Sequence, residues 1–163
     1  MPVLKRIHDI AEVVRQRQAA GQQIFVRYSR GPAADAKSGY RSRDHQTGAV
    51  HPGLSVEIVS GPRSLADYSH LLVKGLPGTR CWLLAGTVVG RDTDNACLLT
   101  DIEPVAWVAD DLIRRIARAY RQKTDLRLAY SRAPFNERQL IMERIRSYGW
   151  LDDWDACAQV LGD

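Results

Sequence analysis

Cysteine, methionine and phenylalanine are scarce in this chain of 163 residues, and long apolar runs are missing. The longest apolar runs are far shorter than a bilayer requires. The first residues lack the charged and apolar regions of a secretory signal. Cys81, Cys97 and Cys157 form no CxxC pair, which argues against a disulfide framework and a thiolate zinc site. We therefore expect buried structural cysteines in a cytoplasmic protein without a membrane partner.

Signatures of common nucleotide-binding and hydrolytic sites are also absent. No GxGxxG or GxxxxGK[ST] occurs, which disfavours a Rossmann dinucleotide fold and a P-loop. The run 53–56, GLSV, lacks the second glycine of a GxSxG nucleophile elbow. His45 and His51, with Asp44 beside the first, match no established metal-ligand spacing, so we expect no metal ion.

The remaining composition is that of an ordinary globular protein, with 45% hydrophobic and 26% charged residues. No repeat or linker divides the sequence, so we expect one domain over residues 1–163. Within it we distinguish an α+β core, 1–109, from a helical C-terminal extension, 110–163. The sheet is expected to be small, mixed or antiparallel, and flanked by helices.

Hydrophobic periodicity predicts the elements of the first third. Asp9 is the expected N-cap, and Gly21 the expected end, of an amphipathic helix. Alternation of apolar and polar residues predicts strands at 24–29 and 54–58. The polar segment 30–52 between them has turn signals and no periodicity. Connections of that length are usually functional or disordered.

The remaining sequence predicts one more helix, two strands and then a helical end. Ser64 is the expected N-cap of a helix with Leu65, Tyr68, Leu71 and Leu72 on its buried face. Residues 81–89 form an expected buried strand broken by Gly86, and Pro104 is expected to interrupt the returning strand or place it at an edge. Further helices are expected from Asp110 to about Lys123 and from Pro134 to Gly149.

Charge is distributed unevenly in the last third. Residues 112–146 carry ten Lys and Arg against three acidic residues, whereas residues 150–163 are acidic. The acidic tail is therefore expected to fold back on the basic block. Nucleic acid could bind through Arg114, Arg115 and Arg118, but the arginines lie on several helix faces, which favours a solvated surface.

The densest polar cluster lies between residues 27 and 55. Arg27, in a strand before a Gly-Pro turn, can present a bidentate guanidinium to a phosphate or carboxylate. The alternatives are a side chain that points to solvent or an ion pair with Asp35 or Asp44. The other residues expected to contact a ligand are Tyr28, Ser29, Arg30, Tyr40, Arg43, Asp44, His45 and His51.

Several spaced motifs in this sequence resemble a family of short uncharacterised actinobacterial proteins, a domain of unknown function. The first motifs are VRYSRGP at 26–32 with the following Asp35, SRD at 42–44 and TG at 47–48. The others are PGLS at 52–55, GR at 90–91, DN at 94–95 and EPVAW at 103–107. The resemblance covers about residues 1–115 and implies no particular activity. The chain departs from the family at Ala96, where an acidic residue is usual after Asp-Asn.

The order of three polar residues is also distantly similar to the layout of ADP-ribosyltransferases and related NAD-cleaving toxins. This resemblance implies that Arg27 holds the pyrophosphate of NAD and that Ser55 orients Glu103. Glu103 would then contact the ribose as an oxocarbenium-like state develops. Tyr28 or Tyr40 would stack on the nicotinamide ring.

We therefore expect an enzyme-like domain that binds an anionic nucleotide-type molecule in a cleft covered by residues 30–52. The most specific form of this hypothesis is NAD-dependent ADP-ribosyl transfer or NAD cleavage, with NAD as the candidate substrate. One alternative is a non-enzymatic module that binds nucleic acid or an acidic partner through the basic C-terminal helices. Another is a tailoring enzyme of a specialised metabolic pathway that acts on an unknown carboxylate.

Overall fold

A computed structural model describes residues 1–67, 69 and 78–163, and its architecture is the predicted α+β class. The strands in this part are β1 Val3–Leu4, β2 Phe25–Ser29, β3 Leu54–Ile58, β4 Arg80–Arg91 and β5 Cys97–Val108. The α-helices are α1 Ile7–Ala19, α2 Pro32–Lys37, α3 Asp110–Arg132, α4 Phe135–Arg146 and α5 Trp154–Leu161. Two 3-10 helices span Pro62–Leu65 and Gly149–Asp152.

The strands form one mixed sheet in the order β1-β5-β3-β2-β4, with β4 also paired to β5. The pairing of β1 with β5 is parallel, and those among β2, β3, β4 and β5 are antiparallel. These four strands therefore form a closed circuit of pairings. Phe25 of β2, for example, lies opposite Ile58 of β3 on one side and Leu84 of β4 on the other.

Alternation along the strands produces two apolar clusters, one on each face of the sheet. The smaller cluster consists of Phe25, Leu54, Val56, Trp82, Leu84, Cys97 and Leu99. The larger cluster takes Val26 and Tyr28 from β2 and packs them against helices α1, α3 and α5. All three cysteines are buried, as expected.

The long strands β4 and β5 stay paired by means of register shifts. One shift lies between Ala85 and Thr87, so Gly86 bends β4 where we expected a break. A Cβ at Gly86 would lie 2.7 Å from the carbonyl oxygen of Thr100, which explains why a glycine occupies the bend. Pro104 does not interrupt β5, because it lies between the segments that pair with β3 and β1.

The helix boundaries differ from the sequence prediction at both long helices. Arg6, not Asp9, is the N-cap of α1, and Asp9 accepts hydrogen bonds from the Arg6 guanidinium. Helix α3 begins with Asp110 after Ala109 and continues to Arg132, well past Lys123. Acidic residues are favourable both at the N-cap and in the first helical turn, so an Asp alone does not determine the first residue.

The segment 30–52 is more ordered than its sequence suggested. Helix α2 begins with Pro32 directly after Gly31, and an isolated bridge joins Arg43 to Val50. A helix of six residues is too short to show a periodic apolar face, which is why the sequence did not reveal it.

Ser64 does not precede a helix as its N-cap but lies inside the first 3-10 helix, where its hydroxyl donates to the carbonyl of Gly61. Of the side chains expected on the buried face of that helix, Leu65 is buried in the 3-10 helix, and Tyr68, Leu71 and Leu72 lie outside the described residues. No helix in the part of the chain that is described could cross a membrane, because none combines the required length with the required apolarity.

The acidic end of the chain does contact the basic helix α3, as predicted, at Arg115 near its start and at Lys123 in its middle. Asp163 lies 3.4 Å from the guanidinium of Arg115, and Asp152 lies 4.0 Å from the ammonium of Lys123. Arg115 also donates to the carbonyl of Leu161. Within residues 1–67, 69 and 78–163, these are the two ion pairs between helix α3 and the acidic end.

Candidate functional site

A cavity of about 420 Å³ opens beside β2 and β3, beneath the segment 38–51 and next to the turn between β4 and β5. We call it the ligand cavity. Its walls are formed by Val26, Arg27, Tyr28, Asp35, Ser38, Arg41, Ser42, Arg43, Asp44, His45, His51, Ser55, Val56, Glu57, Asp92, Thr93, Asp94 and Ala96. Its size is within the range of small-molecule sites.

Arg27 and Asp35 form a bidentate ion pair in one wall of the ligand cavity. Arg27 Nε lies 2.8 Å from Asp35 Oδ2, and Nη2 lies 3.1 Å from Oδ1. Arg27 Nη1 donates to the carbonyl oxygen of Ser55 at 2.8 Å. The ion-pair alternative for Arg27 is thus confirmed, although the guanidinium still has N–H groups that no described residue accepts.

Ser29 supports this ion pair from the neighbouring position of β2. Its hydroxyl donates to Asp35 Oδ2 at 2.7 Å and accepts from Trp82 Nε1 at 3.0 Å. The backbone N–H of Gly31 donates to the hydroxyl oxygen of Ser29. Ser29 therefore positions Asp35 and does not itself line the cavity.

Asp44 is a buried carboxylate that organises the segment above the cavity. Its Oδ1 accepts from the backbone N–H groups of Thr47 and Gln46, each at 2.8 Å, and its Oδ2 accepts from the Thr93 hydroxyl at 3.0 Å. These bonds, with those from the backbone of Thr47 and Gln46 the strongest, lower the pKa of Asp44 to about 2. Asp44 is therefore ionised at neutral pH.

Asp92 is a second fixed carboxylate, in the turn between β4 and β5. Burial alone would raise its pKa, but hydrogen bonds from the Ser55 hydroxyl and the backbone of Ala96 and Asp94 outweigh burial and lower it. The charge of the nearby His51 adds to this effect. Ser55 Oγ lies 2.7 Å from Asp92 Oδ2, so β3 holds the carboxylate in place.

His51 is flanked by these two carboxylates. Its Nε2 lies 4.0 Å from Asp44 Oδ2, and its side chain retains 17% of its exposure. The backbone N–H of His51 donates to the carbonyl of Ser42, which fixes the residue in the segment above β3. An imidazole held beside carboxylates in a cavity of this size has the geometry of a general acid or base.

Cationic side chains lie on the outer side of the cavity. Arg41, Arg43 and His45 are all exposed, and Arg43 donates to the carbonyl of Gly48. Among the residues that the structure describes, no carboxylate forms an ion pair with Arg41. The cavity thus combines positive charge outside with fixed negative charge inside.

The structure brings most of the expected ligand contacts together. Arg27, Tyr28, Arg43, Asp44, His45, His51 and Ser55 all line the ligand cavity. Exposed Arg30 and partly buried Tyr40 are not among the lining residues. Tyr40 instead packs against the smaller apolar cluster with a positive φ of 53°.

Tyr28 contributes to the wall in a way that leaves its hydroxyl unavailable. The hydroxyl donates to the carbonyl of Leu65, and burial raises the pKa of Tyr28 far above its ordinary value. The side chain belongs mainly to the larger apolar cluster. Its phenol is therefore part of the fold and offers a ligand no polar group.

The structure does not bring Glu103 together with Arg27 and Ser55. Glu103 lies on β5 opposite Ala85, and its carboxylate accepts from Arg17 at 2.7 Å and from Gln22 at 3.2 Å. The hydrogen bond from Arg17 is the main cause that lowers the pKa of Glu103. Glu103 does not line the ligand cavity.

Sequence reasoning missed Asp92, in the turn between β4 and β5, as a site residue. The signal was present in the run RDTDN, because Asx residues that bind their own turn are common in such connections. What the run could not show is that Ser55, 37 residues earlier, would bind the same carboxylate. Considering residues 1–67, 69 and 78–163 only, no group of three or more His, Cys, Asp or Glu could hold a metal ion.

Comparison with known proteins gives one match. The sequence model of a protein family, described as a family of unknown function (DUF6098), matches residues 1–62 and 61–129. The two segments include the whole ligand cavity and most of α3, and α4 and α5 lie beyond them. No curated protein and no solved structure matches the chain.

Proposed function

The chain belongs to the DUF6098 family of unknown function, and from that premise we propose that it is a small enzyme that binds an anionic, nucleotide-type molecule in the ligand cavity. The observation that carries the proposal is half-buried His51, which lies beside the fixed carboxylates Asp44 and Asp92. A proton acceptor held in this way, in a cavity of ligand size, is typical of a catalytic site.

The distribution of charge supports a ligand with two different ends. A phosphate near Arg41 and Arg43 would gain charge-assisted hydrogen bonds from exposed guanidinium groups. The inner carboxylates Asp44 and Asp92 would instead accept from hydroxyl or amino groups. A nucleotide carries both kinds of group, on its phosphate and its ribose.

NAD is the substrate to test first, with cleavage of the C–N bond between ribose and nicotinamide. Nicotinamide would leave with the bonding electron pair as a neutral molecule. Water, or another nucleophile, would add to the ribose carbon and give its proton to His51. Asp92, oriented by Ser55, would stabilise the positive charge that develops on the ribose.

This assignment gives Asp92 the role that the resemblance to ADP-ribosyltransferases implied for Glu103. The support is geometric: Ser55 donates to Asp92, whereas Glu103 accepts from Arg17 outside the cavity. Substitution of Asp92 should therefore slow the reaction, whereas substitution of Glu103 should leave its rate unchanged.

Ligand binding is tested by thermal unfolding with NAD, ADP-ribose and nicotinamide added separately. A ligand at ~100 times its dissociation constant stabilises a protein by about 2.7 kcal/mol, which raises Tm by several degrees. We expect NAD and ADP-ribose to raise Tm, and Arg41→Ala to weaken the effect. The matched control Arg114→Ala, an exposed arginine of α3, should leave it unchanged. Absence of any shift with all three compounds would contradict the proposal.

Catalysis is tested by the release of nicotinamide from NAD. We expect Asp92→Asn and His51→Asn each to lower the rate by about 100-fold, the usual minimum for loss of an acid–base group. Glu103→Gln and His8→Asn, two exposed residues outside the cavity, should retain the rate within about twofold. Equal loss in Glu103→Gln and Asp92→Asn, with both variants folded, would reject the assignment of Asp92.

A further inference from the structure

Helix α4 and the second half of α3 form a hairpin with little apolar burial. Ala133 and Pro134 connect them, and the hydroxyl of Tyr148, just after α4, donates to Gln122 Oε1 in the middle of α3. Of the twelve residues of α4, Ile145 alone is fully buried. Leu140 is 58% exposed. A helix of this kind gains little stability from the core of its own chain.

A groove of about 550 Å³ lies between these two helices. We call it the hairpin groove. It is lined by Gln122, Asp125, Leu126, Ala129, Arg144, Ser147 and Tyr148. Leu140 precedes Arg144 by four residues and therefore lies on the same face of α4, one turn nearer the start of the helix. Leu126, Ala129 and the ring of Tyr148 give the groove an apolar floor, and exposed Leu140 extends the same face of α4 beside it.

The surroundings of the hairpin groove are strongly basic. Residues 118–148 contain eight Lys and Arg against three Asp and Glu. The acidic end of the chain pairs with Arg115 near the start of α3 and with Lys123 in its middle, next to Gln122. Among the ion pairs of the described residues, none includes Arg121, Arg132 or Arg144. These three arginines, which we call the basic rim, therefore have no carboxylate partner among the described residues.

We propose that the hairpin groove docks an acidic amphipathic helix of a partner protein. The apolar side of such a helix would cover Leu126 and Leu140, and its carboxylates would meet the arginines of the rim. A second copy of this chain would bring its own basic hairpin and be repelled. A nucleic acid would neutralise the arginines but leave the leucines exposed to water. This inference is independent of the reaction proposed for the ligand cavity.

The test uses the full chain and a synthetic peptide of about five helical turns, with Leu on one face and Glu on the other. A control peptide has the same composition in scrambled order, so its charge is equal and its apolar face is lost. We expect fluorescence anisotropy to show binding of the amphipathic peptide that is stronger than that of the scrambled peptide and weakens with salt.

Variants distinguish binding of the peptide at the hairpin groove from nonspecific binding elsewhere on the protein surface. Leu140→Ser and Arg144→Glu should each weaken peptide binding by about tenfold or more, as residues in contact with a docked helix do. Phe135→Ser is the matched control, because Phe135 is 90% exposed but half a helical turn away from the groove face of α4. Circular dichroism of each variant verifies that the hairpin is folded.

Several results would overturn the proposal. Equal binding of the two peptides would show attraction by charge alone. Absence of peptide binding, with dimers detected by sedimentation or with binding of single-stranded or duplex DNA, would assign the surface to a second copy or to nucleic acid. If peptide binding, dimers and DNA binding are all absent, the groove does not have the proposed occupant. If Phe135→Ser weakens peptide binding as much as Leu140→Ser does, the groove is not the docking site.

Discussion

Arg27 forms an ion pair with Asp35 and also has the N–H donors that a ligand would use. Its substitution therefore lowers stability as well as any ligand binding. Its side chain and that of Asp35 retain 19% and 12% of their exposure. We expect Arg27→Ala to lower the free energy of unfolding by about 3 kcal/mol, since it leaves the Asp35 charge buried without a partner. The double variant Arg27→Ala/Asp35→Ala should recover about 1 kcal/mol or more of this loss.

Urea denaturation of the two single variants and the double variant measures this coupling. A double variant no more stable than Arg27→Ala would mean that the pair contributes nothing specific. Because Arg27→Ala destabilises the fold, a loss of activity in that variant cannot by itself be attributed to a ligand contact. Arg41, which is exposed, is the better residue for testing ligand recognition.

Asp44 makes stability depend on pH in a defined range. Its pKa is about 2 in the folded chain against an ordinary 3.8, so the folded state favours the ionised form. The stabilisation is fully present above the ordinary pKa and is lost as the pH falls from about 4 through about 2. We expect Asp44→Asn to be less stable than the wild type at pH 6, with the difference shrinking towards pH 2.

Denaturation at a series of pH values between 6 and about 2 provides the measurement. Asp94→Asn is the matched control, because Asp94 is an exposed carboxylate in the nearby turn. A constant difference between wild type and Asp44→Asn across this range would show that the ionised form of Asp44 is not what stabilises the segment.

At the level of elements, the join between β2 and α2 determines where Asp35 lies. Gly31 has a φ of 112°, and a Cβ there would lie 2.4 Å from Cη2 of Trp107. The guanidinium of Arg80 stacks on the Trp107 ring at 4.2 Å, so the ring is covered on one face. We expect Gly31→Ala to lower the free energy of unfolding by about 2–4 kcal/mol through strain and overpacking.

Gly39→Ala is the matched control for this prediction. Gly39 also has a positive φ, 67°, but a Cβ there meets no atom within 4 Å. Its substitution should therefore cost only the backbone strain, about 1 kcal/mol. Thermal or urea unfolding of both variants compares the two costs, and equal losses would mean that contact with Trp107 does not matter.

At the level of the whole molecule, Asp163 joins the end of the described chain to its beginning. Its Oδ2 accepts from the backbone N–H of Ile7 at the start of α1, and the carboxylate faces Arg115 on α3. We expect Asp163→Ala to lower the free energy of unfolding by about 1–2 kcal/mol, because a buried donor at a helix start loses its acceptor.

Asp155→Ala is the control at this scale, since the pair of Asp155 with Arg15 is exposed and joins the same two regions. Exposed ion pairs contribute about 0–1 kcal/mol, so this variant should be nearly as stable as the wild type. Urea denaturation distinguishes the two variants. Equal stability of Asp163→Ala and Asp155→Ala would indicate that Asp163 does not cap α1.

Much of the fold could be predicted from the sequence because burial repeats with a local period. Alternation at 24–29 and 54–58 predicted β2 and β3, and the α+β class with helices at the C-terminal end followed from the same patterns. The polar density between residues 27 and 55 also marked the segment that now lines the ligand cavity. These properties depend on neighbours in sequence, so a single chain contains them.

Only the tertiary structure decided which distant polar groups meet. Ser55 binds Asp92 across 37 residues, and Asp44 binds Thr93 across 49 residues. Glu103 faces Arg17 of α1 because of the register of β5 against β4, which no local pattern contains. The sequence alone therefore determined most of the strands and long helices, and the polar segment. The closed circuit of strands decided the partners of each carboxylate, because strand register and packing bring together residues that are far apart in the chain.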